Sequence, residues 1–188
     1  MPTAEPPLNP KRRVFLALWP DAEIRRQLSA VARSVSEKTG GRVTPAHNLH
    51  ITLIFLGALG APEIEAIRRC AHQVEFPGFT LCLDRLQYRS RAQIAWLGSS
   101  APPAALIHLV DDLGDRLRRT GFQLDPREFR PHVTLVRKAR HRPRWRTPAI
   151  AWPVTEFALV ESTLSPGGSQ YRPLARWAHL GGQTEDMK

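Results

Sequence analysis

This sequence predicts an α+β fold with antiparallel sheet and an internal pseudo-twofold. Three observations predict it. Extended and helical periodicities alternate along 188 residues, about the length of one domain. Their order is strand, helix, strand, helix, two strands, then helix, strand and two strands. Each half also contains one copy of a tetrad, His-apolar-Thr-Leu, read as LHITLIFLG at 49–57 and PHVTLVR at 131–137.

The elements follow in order. Val14 to Trp19 is a short apolar run closed by Pro20, and Asp21 is a good N-cap for a following helix. From 22 to 38, Ile24, Leu28, Val31 and Val35 recur at helical spacing until Gly40 and Gly41 stop the helix. Residues 48–55 read as a strand and 62–73 as a helix, and 79–86 with 93–97 read as two strands able to pair. The third helix covers 103–120, with Ile107, Val110, Leu113 and Leu117 on one face and Gly121 as its stop. Residues 129–136, 155–164 and 171–180 read as strands, the last two joined by SPGGSQ. Between them KARHRPRWR, at 138–146, lacks apolar periodicity and reads as a basic surface loop whose Arg140, Arg142, Arg144 and Arg146 are candidates for contact with an anionic partner.

A composition of 42% hydrophobic and 23% charged residues is ordinary for a globular chain and excludes general disorder. Lys and Arg number 27 against 17 Asp and Glu, a net charge of +10, which favours an anionic partner: nucleic acid or an acidic membrane surface first. Cys70 and Cys82 lie in apolar segments without metal-ligand spacing and read as buried free thiols in a reducing compartment. The opening MPTAEPPLNPKRR is polar, and VFLALWP is too short for a signal or membrane helix. A cytoplasmic protein with no membrane segment is therefore expected, forming a single domain over 1–188 with flexible tails at about 1–11 and 182–188.

The tetrads carry the chemistry. In an extended strand His50 and Thr52 share one face while Ile51 and Leu53 share the other, and His132 and Thr134 do the same against Val133 and Leu135. If the pseudo-twofold brings the strands together, two imidazoles and two hydroxyls meet in one cleft. Histidine exists in both protonation states near neutrality. In a phosphodiester displacement one neutral imidazole can accept a proton from the attacking oxygen while an imidazolium donates one to the leaving oxygen. The threonine hydroxyls can donate to the non-bridging oxygens. A single histidine on a strand is more often a half-buried, hydrogen-bonded residue; two matched copies favour catalysis. A metal site competes, but no carboxylate or thiolate cluster accompanies the tetrads and threonine is a poor zinc ligand, so neither metal nor cofactor is expected. His47, His72, His108, His141 and His179 lack the threonine spacing and are assigned no chemistry.

With these motifs the chain resembles the two-histidine (2H) phosphoesterase superfamily, specifically the bacterial RNA 2′,3′-cyclic phosphodiesterases once called 2′-5′ RNA ligases. RRVFLALWP is similar to the family's opening strand, LHITLIFLG and FRPHVTLVR to its two motifs, and ESTLSPGGSQYRPLARW to its closing strands. The resemblance implies a bilobal fold around a central cleft, with helices outside, and hydrolysis of a 2′,3′-cyclic phosphate to a 2′-phosphate. It implies His50 as the acid on the departing 3′ oxygen, His132 as the base on water, and Thr52 and Thr134 as holders of the phosphate oxygens. Arg137 follows the second motif as in many relatives, and Arg130 shares the face of His132 by alternation; each is a candidate for phosphate binding or a surface ion pair. Trp19 departs from the small or acidic residue common there. Phe55 reads as core, Phe129 as either a base-stacking or an inter-lobe residue, and Tyr171 as a packing residue with its hydroxyl on backbone.

RNA ends or nucleotides bearing a 2′,3′-cyclic phosphate are the expected partners of a monomer. The same chemistry reversed would make a 2′-5′ linkage, and the competing class is a non-catalytic RNA-end-binding module.

Overall fold

The computed structural model describes residues 10–142, 149–165 and 168–179. Arg144, Arg146 and the expected tails, apart from residues 10 and 11, lie outside them. The first strand, β1 (Arg12–Leu18), turns Val14, Leu16 and Leu18 to one side and Phe15 and Ala17 to the other, and all five are buried. Burial on both faces explains its unbroken apolar run. Helix α1 (Ala22–Thr39) starts where the Asp21 side chain accepts from the Ile24 amide at 2.8 Å, and Gly40 at φ 67° ends it.

After α1 come β2 (Arg42–Val43), a 3₁₀ turn (Ala46–Asn48) and β3 (Ile51–Leu59). Gly41 is required at this corner. Its φ is 95°, and a Cβ there would stand 2.6 Å from the Arg137 carbonyl oxygen, so only glycine lets β2 approach this closely. Then follow α2 (Ala61–His72), β4 (Phe79–Leu83), β5 (Arg85–Arg89), β6 (Ile94–Gly98), α3 (Ala104–Arg119), β7 (His132–Arg137), β8 (Ile150–Val154), β9 (Glu156–Ser165) and β10 (Gly168–Ala178).

The fold is α+β with two antiparallel sheets. The large one has the order β10-β9-β1-β3-β7-β6-β5, with β2 also on β7; β4 and β8 form the other. Strand, helix, antiparallel strand occurs twice, as β1-α1-β3 and β6-α3-β7. The two arms of the large sheet meet at one registered pair, Ile51 opposite Val133. The arms are not consecutive stretches of chain, because the C-terminal hairpin β9–β10 returns to the free edge of β1.

Three expectations are corrected. The strand expected over 79–86 is two strands: Asp84, whose carboxylate accepts from the Ser100 amide and hydroxyl, separates β4 from β5, and β4 pairs with β8 while β5 pairs with β6. Strand β8 was not anticipated. Its Pro153 argues against a strand but is tolerated in a two-stranded ribbon. Cys82 is exposed, since Leu81 and Leu83 take the core side of β4; Cys70 is buried as expected.

Glu161 fastens β1, β9 and β10. It accepts from Arg12 at 2.6 and 2.9 Å and from Arg172 at 3.0 Å, and the Arg12 hydrogen bond is the main reason its carboxyl is held at about 2. Among the described residues no helix is long and apolar enough to cross a membrane.

Candidate active site

Both tetrad strands contain the same irregularity. Ala17 pairs with Thr52 and Leu16 with Ile54, so Leu53 is an extra residue in β3. Trp96 pairs with Thr134 and Ala95 with Val136, so Leu135 is the extra residue in β7. Each bulge buries two consecutive aliphatics, Leu53 with Ile54 and Leu135 with Val136. The next residue of each strand is thereby turned to the cleft side. Phe55, expected in the core, is instead 46% exposed with the Arg13 guanidinium 4.8 Å above its ring centre. Arg137 is the corresponding residue of β7. The signal was present: an adjacent aliphatic pair after threonine, LI in one copy and LV in the other, breaks the period of two.

Carried one residue either way, the Ile51–Val133 register sets His50 opposite Thr134 and Thr52 opposite His132. The pseudo-twofold passes between them. His50 Nδ1 donates to the Asn48 carbonyl at 2.7 Å, and His132 Nδ1 donates to the Arg130 carbonyl at 2.8 Å. Since a carbonyl only accepts, both Nδ1 atoms carry hydrogen and both Nε2 atoms are left for the cleft. His50 Nε2 lies 3.2 Å from Thr52 Oγ1. Asn48 is itself held by its Nδ2 donating to the Ser169 carbonyl at 2.6 Å, so β10 positions the group that orients His50.

The two histidines differ in surroundings. Phe15 at 4.9 Å, Trp19 stacked at 5.6 Å and Tyr171 edge-on at 4.9 Å box in His50, whereas His132 is exposed and among the described residues meets one ring, Trp96, at 6.1 Å. Burial lowers the His50 pKa to about 4; the positive potentials of His132 and Arg137 act in the same direction, and the Asn48 carbonyl opposes them. Asn48, Phe15 and Trp96 carried no sequence signal for a site role. Trp19 stands out in the sequence only as a departure from the family.

The two candidate arginines separate. Arg130 precedes β7, is exposed and pairs with Glu128 at 2.7 Å; it is its carbonyl that serves His132. Arg137 turns to the cleft side, near enough to act on His50. Phe129 is half-buried against the core. Tyr171 packs as expected, but its hydroxyl meets no backbone group among the described residues. Among the described residues no three His, Cys, Asp or Glu side chains converge as metal ligands.

A titration follows from the box around His50. In the ligand-free protein its NMR midpoint is expected near 4. An unfolded histidine titrates at about 6.5, so the unfolded chain binds the proton first on acidification. Stability from this residue is full above about 6.5 and is lost as pH falls toward 4. Inorganic phosphate should move the midpoint upward by placing negative charge against Nε2; an unchanged midpoint would place the anion elsewhere.

Known proteins are similar to this chain over most of its length. A family model of the 2′-5′ RNA ligase superfamily matches residues 17–165. The RNA 2′,3′-cyclic phosphodiesterase of Escherichia coli K12 is 37% identical over 173 residues, which cover 91% of this chain and 98% of that protein. The Archaeoglobus fulgidus protein of the same name is 26% identical, over 86% of this chain and 97% of its own. The crystal structure of E. coli LigT complexed with 3′-AMP superimposes with a TM-score of 0.80 at 36% identity, covering 90% of this chain and 99% of that one. A match that runs from β1 through β9 and spans both tetrads places this chain in the 2′-5′ RNA ligase superfamily of 2H phosphoesterases.

Proposed function

We propose that this protein is a metal-independent RNA 2′,3′-cyclic phosphodiesterase that opens the cyclic phosphate to a 2′-phosphomonoester. The observation that carries the reading is the pair of imidazoles with matching tautomers, each Nδ1 on a carbonyl two residues upstream and each Nε2 turned to the cleft, that of His50 beside its own tetrad threonine. The E. coli relative is named for this activity, and its LigT structure with 3′-AMP has a nucleotide bound.

Water attacks phosphorus in line with the departing 3′ oxygen. His132 Nε2 takes the water proton, the P–O3′ bond breaks, and His50 Nε2 delivers a proton to O3′, leaving a 3′-hydroxyl and the 2′-monoester. Thr52 and Thr134 donate to the non-bridging oxygens, and the Arg137 guanidinium balances their charge.

His50 is unprotonated at neutrality in the free protein, because partial desolvation among its ring neighbours disfavours the imidazolium. The phosphodiester anion supplies the compensating charge, so His50 becomes an acid on binding substrate. With a 5′-hydroxyl in place of water, the same displacement forms P–O5′ as P–O3′ breaks and leaves a 2′-5′ linkage. Phe55, exposed on the cleft side, offers its ring to the base of the reacting nucleoside.

Incubation of an oligonucleotide ending in a 2′,3′-cyclic phosphate, in excess chelator, should yield the 2′-monoester. Binding without turnover would make the protein an RNA-end-binding module. Turnover restored only by a divalent ion would overturn the metal-free mechanism.

A further inference from the structure

The arm of the sheet that contains His132 has two faces of opposite character. Leu86 and Tyr88 of β5, Ala95 and Leu97 of β6 and Val133 of β7 pack into the core. Strand register puts the alternate residues on the cleft side in three rows. Arg85, Gly98 and His132 form the first; Gln87, Trp96 and Thr134 the second; Arg89, Ile94 and Arg137 the third, which Arg42 of β2 extends beyond β7. Directly paired residues point the same way, so Arg42, Arg137 and Arg89 lie in one line across β2, β7, β6 and β5. Four neighbouring strands span roughly 14 Å at the usual strand spacing.

The outer arginines of this face, Arg42 and Arg89, are uncompensated among the described residues. Elsewhere on the surface Arg26, Arg116, Arg118 and Arg127 each pair with a nearby carboxylate. On the cleft side the three rows hold no Asp or Glu, and Arg42 and Arg89 are exposed with no carboxylate partner among the described residues. A line of unpaired guanidinium groups is costly through mutual repulsion unless a polyanion neutralises it. Trp96, half-exposed in the middle row and beside His132, adds a ring on which a base can lie.

We propose that this face is a single-stranded RNA track, in which Arg42 and Arg89 hold phosphates 5′ to the reacting end while Trp96 stacks a neighbouring base. It rests on the reading of the site as an RNA-end phosphodiesterase and deepens it: the substrate is a polynucleotide end rather than a mononucleotide. The track is continuous with the catalytic cleft through Thr134 and Arg137, so a strand whose terminal phosphate sits between the histidines can continue across this arm.

The test compares two substrates, cytidine 2′,3′-cyclic monophosphate and a hexanucleotide ending in a 2′,3′-cyclic phosphate. In the double variant Arg42→Ala/Arg89→Ala the hexanucleotide KM should rise about tenfold, and the slope of log affinity against log salt should shrink by about 1.4, the share of two phosphates in a single strand. Mononucleotide kcat/KM should stay within about twofold of wild type, since neither side chain reaches the cyclic phosphate. Unchanged hexanucleotide kinetics, or equal losses on both substrates, would overturn the track. If wild type turns over neither substrate, the phosphodiesterase reading fails by itself. Anisotropy of a fluorescent hexanucleotide bearing a 2′-phosphate then decides the track: weaker binding by the double variant supports it, and equal binding refutes it. An abasic residue next to the reacting end should weaken wild-type binding several-fold; equal affinity would remove Trp96 from the proposal.

Discussion

His50→Ala and His132→Ala are each expected to lower kcat on a cyclic-phosphate oligonucleotide by roughly 10²–10⁴-fold, the usual contribution of a positioned acid or base. The double variant should lose far less than the product of the single losses, because the two rings act on one displacement. Their effects on the pH profile should differ, since each ring supplies one limb of the bell-shaped wild-type curve. Stability should differ too. His132 is exposed, and its replacement should leave stability at neutral pH nearly unchanged. Removing His50 should flatten the loss of stability between about 6.5 and about 4, because the half-buried, desolvated imidazole that resists protonation is gone. Full activity in either single variant would reduce that tetrad to a structural element and leave a single-base mechanism.

Arg137→Ala should lower kcat/KM by about 10²-fold, and Arg130→Ala by no more than about twofold. Sequence gives these two arginines equal standing, and the structure separates them. The bulge at Leu135 turns Arg137 to the cleft, where its charge reaches His50, while Arg130 spends its guanidinium on exposed Glu128 and contributes only a backbone carbonyl. An exposed ion pair of this kind is worth little. Arg137→Lys should recover only part of the loss, since an ammonium cannot reproduce the two-pronged contact with phosphate oxygens. The reverse ranking, with Arg130 the more sensitive, would mean that its pair with Glu128 opens when substrate binds.

Much of the fold is legible because local rules and tertiary packing agree. Asp21 caps α1 as its type requires, Gly40 ends it, and the apolar stripe Ile24, Leu28 and Val35 faces the core. The failures occur where packing overrides a local rule. Pro153 reads as a strand breaker, yet β8 tolerates it because an edge needs no donor there. Cys82 reads as apolar and buried, yet its neighbours Leu81 and Leu83 claim the core face of β4.

By itself the sequence determined the class, the two tetrads, and the alternation that puts each histidine with its threonine, since these depend on residue type and on a period that every strand obeys. Only the tertiary structure decided the rest. Bulges at Leu53 and Leu135 are set by register against β1 and β6, and they alone bring Phe55 and Arg137 to the cleft. The single pair Ile51–Val133 makes two distant motifs one site. The unequal surroundings of two histidines with the same motif come from long-range neighbours: Phe15, Trp19 and Tyr171 of β1 and β10 pack around His50, while among the described residues His132 meets one ring, Trp96. Burial depends on what folds alongside, so a motif cannot specify it.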